Sequence, residues 1–172
     1  MDPEPLGGHL HFSWCDIEDV TPVTVRSLLM GLNVVHHRLV TEFFDEGQLI
    51  IRRMYADDRG RDYAKLGMFR AVAHRQGTFD QVVQAQHIEY RYPPSWMLTP
   101  EMAYVFLASG EIVARKVLIE KYTGTWRGLA MDILDFGEVL PADGAPSVKQ
   151  AYEIAKRNLN WKQDFTDNWL TE

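Results

Sequence analysis

Between Thr21 and Gly47 the apolar residues return every three or four positions, and this one stretch constrains the fold more than any other. Val25, Leu28, Leu29, Leu32, His36, Leu39, Val40 and Phe43 fall on one side of a helical wheel. Thr21 can cap the first turn, and Pro22 at the first helical position has no backbone donor to waste. Asp45-Glu46-Gly47 ends the run, with Gly47 as a natural stop. The pattern predicts a helix over 22–45 whose oily side must lie against a broad surface, a sheet or a partner.

The rest of the chain reads as mixed. QLIIRRMYA (48–56) and Gly67 to Ala73 alternate with a period of two and predict strands. The second half of the run from Thr78 to Tyr92 also reads as extended, with His87, Glu89 and Arg91 opposite Ile88, Tyr90 and Tyr92; Pro93-Pro94 ends it. HLHFSW (9–14) alternates weakly and predicts a short first strand. AYVFLA, the Ser109-Gly110 turn and IVARKVLIEKY (112–122) predict a hairpin, on their β-branched and aromatic content, against a competing helix that starts at Thr99-Pro100. LAMDILDF (129–136) reads equally as a strand or a short helix. Ser147 three before Gln150 forms a capping-box pattern, followed by an apolar stripe that predicts a helix over 148–160. The expected fold is therefore α+β: a single domain over 9–172, with a mainly antiparallel sheet packed against a long N-terminal amphipathic helix and a second, C-terminal helix. Residues 1–8 are expected to be a flexible lead-in.

A chain of 172 residues buries enough surface for a core without staples. It has one cysteine, Cys15, so no intrachain disulfide can form. That usage, and an acidic start broken by Pro3, Pro5, Gly7 and Gly8 where a signal peptide would be basic and then apolar, predict a cytoplasmic location. No apolar run approaches the roughly 20 residues of a membrane span. Phosphate-loop, Gly-x-Ser-x-Gly, His-Glu-x-x-His and calcium-loop patterns are missing, which argues against those enzyme classes and leaves others open.

Several residue sets carry candidate chemistry. His36 falls in the middle of the apolar stripe, where a buried imidazole needs a partner. It reads as a core histidine or as the polar group of a ligand pocket between helix 22–45 and the sheet, lined also by Tyr90 and Tyr92, where it would act as an orienting group or general base. His9-x-His11 has metal-like spacing, because on a strand both rings share a face, and His87 or an acid could complete a set. No neighbouring stretch supplies a third ligand, so the expectation is a polar strand face with no metal and no cofactor. Arg52, Arg59, Arg61 and Arg70 could line a nucleic-acid surface. Acids dilute that cluster, and 24 Asp and Glu against 18 Lys and Arg, a formal charge of -6, disfavour it. Tyr90, Arg91, Tyr92 and Trp96, with Trp161, Phe165 and Trp169, are the residue types that dominate protein interfaces.

Three functions stand in order on these grounds. The first is a non-catalytic interaction or regulatory module that binds a protein partner or itself. The second is a small-molecule binder or enzyme built around His36. The third is nucleic-acid binding through Arg52 to Arg61.

Overall fold

A computed structural model describes residues 8–45, 66–71, 77–93, 99–135 and 147–169. In chain order the elements are β1 (Leu10–Ser13), α1 (Pro22–Val40) continuing as a π-helical turn (Thr41–Asp45), β2 (Phe69–Arg70), α2 (Phe79–Ala85), β3 (His87–Tyr90), α3 (Pro100–Leu118), α4 (Trp126–Leu134) and α5 (Val148–Trp169). The class is α+β, with helices carrying most of it. The sheet is small and antiparallel, in the order β1-β3-β2. The expected strand at 48–56 lies outside the described residues, as do residues 1–7.

α1 begins as its sequence predicts. The Thr21 hydroxyl accepts from the Thr24 backbone N–H at 3.2 Å, and the Thr24 hydroxyl accepts from the Thr21 N–H at 3.3 Å. Its stripe is buried, and α1 packs against α3, α4 and α2. α3 in turn packs on α5, and β1 touches α3, so one apolar core lies between the helices and the inner face of the sheet.

The hairpin expected at 103–122 is a helix instead. Met102, Val105, Phe106, Ser109, Ile112, Val113 and Val117 are all buried, a step of three and four that only a helix produces. Tertiary burial thus overrides the strand preference of its β-branched residues. Ser109-Gly110, which reads as a turn, sits mid-helix because the missing side chain is used for packing. A Cβ on Gly110 would stand 3.3 Å from both Leu10 Cδ1 and Phe12 Cζ. Residues 126–134 are also helical, and α5 runs past the expected end at 160.

Gly31 does the same work where α1 crosses α3 and α4. A Cβ there would lie 2.9 Å from Val113 Cγ1 and 3.2 Å from the Trp126 ring. A β-branched valine in a helix has almost no rotameric freedom to give way, so three helices meet at a position that admits only glycine. At the far end of α1, Arg38 donates two bonds of 2.6 Å to Asp135 and one of 2.9 Å to Glu42, and Lys156 reaches Glu42 at 3.1 Å. This network ties α1, α4 and α5 together, with the Arg38 guanidinium holding the Asp135 carboxyl below its usual range. Among the described residues no helix is long and apolar enough to cross a membrane.

Candidate metal centre

The two faces of the sheet differ in chemistry. Leu10, Ile88, Tyr90 and Phe69 point inward and are buried. Alternation places His11 and Ser13 of β1, His87 and Glu89 of β3, and Arg70 of β2 on the other face. The register pairs His11 with Glu89 and Ser13 with His87, and Arg70 stands opposite Glu89 from the other side. His9, just before β1, and Arg91, just after β3, extend the rows by one step.

This lattice converges four metal-ligating side chains. His9 Nδ1 lies 2.9 Å from Glu89 Oε1, and His11 Nδ1 lies 3.2 Å from His87 Nε2. One ligand atom each from His9, His11 and Glu89 can be chosen so that all lie within 4.8 Å of one another. The Ser13 hydroxyl is 3.0 Å from His87 Nδ1, so a chain Ser13–His87–His11 fixes the His11 ring and leaves its Nε2 for another partner. Arg91 Nε donates to His9 Nε2 at 3.4 Å and is 3.5 Å from Glu89 Oε1. That contact puts the His9 proton on Nδ1, facing the carboxylate. Arg70 Nη1 lies 3.9 Å from Glu89 Oε1.

Protonation suits a metal. Burial lowers the pKa of His9, with Arg91 pushing the same way and Glu89 opposing. Burial also lowers His87, helped by His11. Both imidazoles are therefore neutral at pH 7, the form that donates a lone pair. The His9-x-His11 spacing was legible in the sequence. A third candidate, for which no neighbouring stretch of chain offers a residue, is Glu89, which stands beside them across the strand pair.

The other expected site residues lie elsewhere. His36 is fully buried. Its Nε2 is 3.1 Å from Ser109 Oγ, and its ring packs against Phe106 at 5.3 Å and Tyr90 at 5.5 Å between centroids. Tyr90 is fully buried with its hydroxyl on Asn33 at 3.1 Å, and Tyr92 is 2% exposed with its hydroxyl 2.7 Å from His37 Nδ1. His36, Tyr90 and Tyr92 thus lie in the core, with Tyr90 packed between the other two rings. Arg91, just after β3, is also buried, 4% exposed, so Tyr90, Arg91 and Tyr92 all present little surface. Arg70 stands beside Glu89 on the outer face of the sheet. Trp96 and Arg52, Arg59 and Arg61 lie outside the described residues. Trp161, Phe165 and Trp169 fall on the α5 backbone at four-residue steps, one line along that helix.

Compared with protein-family models, curated proteins and solved structures, the chain matches none.

Proposed function

We propose that this protein binds one divalent transition-metal ion, of the zinc type, through His9, His11 and Glu89, with His87 orienting His11. The observation that carries the reading is the convergence of those three ligand atoms within 4.8 Å on neighbouring strands. Zinc bonds of about 2.0–2.2 Å in a tetrahedral arrangement hold ligand atoms roughly 3.3–3.6 Å apart. The set therefore closes onto an ion by side-chain rotation alone. Two imidazoles and one carboxylate favour zinc and its late first-row neighbours; magnesium and calcium prefer all-oxygen sets.

Binding needs one local exchange. The ion takes the place of the His9 Nδ1 proton, which moves to Nε2. Arg91 Nε then gives up its 3.4 Å contact there and keeps Glu89, already 3.5 Å away. No strand has to move.

The test is a zinc titration of the untagged, metal-stripped chain against a chromophoric chelator, with thermal unfolding in parallel. One ion per chain is expected, with added stability of about 2.7 kcal/mol when zinc is a hundredfold above its dissociation constant. A chain that takes no zinc from the chelator, and whose unfolding midpoint ignores it, overturns the reading.

A second reading, self-association, rests on α1. Val23, Met30 and Val34 recur on its outer side and are 73%, 45% and 37% exposed. Sedimentation should then show a dimer that Met30→Glu with Val34→Glu dissociates; a monomer at all concentrations removes this reading.

A further inference from the structure

We infer that the metal centre takes a small oxyanion, a carboxylate or phosphate monoester, with one oxygen on the ion and a second on Arg70. The inference rests on the metal-binding reading above and deepens it.

Three protein ligands leave a tetrahedral ion with one open position. His11 is exposed, so that position faces solvent from the outer side of the sheet. His11, Glu89 and Arg70 form one row across β1, β3 and β2, each directly opposite the next. Adjacent strands stand about 4.8 Å apart, which puts the guanidinium beside the metal-bound carboxylate, within the span of a two-oxygen ligand. Arg70 is 28% exposed and sits 3.9 Å from Glu89, a loose contact that leaves its donors available at the rim. Arg91, 4% exposed and 3.5 Å from Glu89, contributes charge, not reach.

Charge decides what the open position prefers. The ion brings two positive charges, and Arg70 and Arg91 bring one each against the single negative charge of Glu89. The three charged residues and the ion thus sum to plus three within a few ångströms. Water leaves that excess standing, whereas an oxyanion reduces it. The planar guanidinium presents parallel donors that match paired oxygens, which a simple ammonium does not.

The experiment uses the cobalt(II)-loaded full chain, whose visible bands report ligand exchange at the ion. Acetate and methylphosphonate are titrated in turn, with non-coordinating perchlorate at equal ionic strength as the control. Saturable band shifts are expected with acetate and methylphosphonate and not with perchlorate. Arg70→Gln should keep or tighten cobalt binding and weaken oxyanion binding about tenfold, and Arg70→Lys should recover only part of it. Bands that appear but ignore both oxyanions overturn the inference and leave the metal reading standing. Oxyanion shifts that are equal in wild type and Arg70→Gln overturn the role of Arg70. A chain that never develops cobalt bands removes both readings together.

Discussion

His11→Ala is expected to weaken zinc binding a hundredfold or more while the metal-free fold stays intact. Removing an outer partner of a metal ligand costs roughly ten- to a hundredfold in affinity, and a direct ligand costs more. The imidazole is exposed and contacts His87, another ring on the outer face of the sheet, so the core loses nothing. The variants then rank by role. His87→Ala, which only frees the His11 ring, should cost about tenfold to a hundredfold. Arg70→Gln removes a cation close to the ion and should tighten binding severalfold. Glu89→Gln should weaken binding as much as His11→Ala, but it takes from His9, Arg70 and Arg91 the carboxylate all three approach, so it should lower the stability of the apo protein too. Competition titrations and denaturant unfolding on the same four proteins separate these effects. Zinc affinity unchanged in His11→Ala would show that the three-ligand set is wrong.

Half of this site can be read from the sequence, and the missing half has a physical cause. Strand alternation alone puts His9 with His11, and His87 with Glu89, on single faces. What alternation does not tell is that the two strands are neighbours. His11 and His87 are 76 positions apart, and their pairing depends on how the intervening helices pack. The same limit explains the elements. α1 carries its own signals, a capped start with proline and an unbroken apolar stripe, and it forms where they say. The run from 78 to 92 divides, because Thr78 and Gln81 cap α2 and Gln86 takes a left-handed backbone, φ 49°, that ends it one residue before β3. In α3 local preference and burial pattern disagree. Its aromatic and β-branched residues favour a strand, and Gly110 suggests a turn. The glycine is explained only by Leu10, Phe12 and His36, which arrive from far along the chain.

Acid should destabilise this protein through His36, well above the pH at which carboxylates titrate. The ring is fully buried, and burial lowers its pKa from the ordinary 6.5 to about 3, with the Phe106 carbonyl pulling weakly the other way. The Ser109 hydroxyl donates to the Phe106 carbonyl at 3.3 Å, so it accepts from His36 Nε2–H and the lone pair of Nδ1 is left without a donor. That arrangement holds a neutral imidazole and offers nothing to a second proton. The unfolded chain protonates His36 near 6.5, and the folded chain does not until about 3. Between those values the unfolded state binds the extra proton, so stability is complete above 6.5 and falls as pH drops toward 3, by at most about 1.4 kcal/mol per unit. Roughly 2 kcal/mol should be lost by about pH 5, a large share of a small domain's stability. His9 and His87 add slope of the same sign, because their pKa values are lowered too. Their contribution is separable. His36→Leu fills a similar volume with no titratable group, so its unfolding free energy, measured in urea across this range, should lose about one proton's worth of pH dependence and keep the remainder. Equal slopes in wild type and His36→Leu would mean that acid reaches the fold by another route, and that His36 is not the buried base its packing describes.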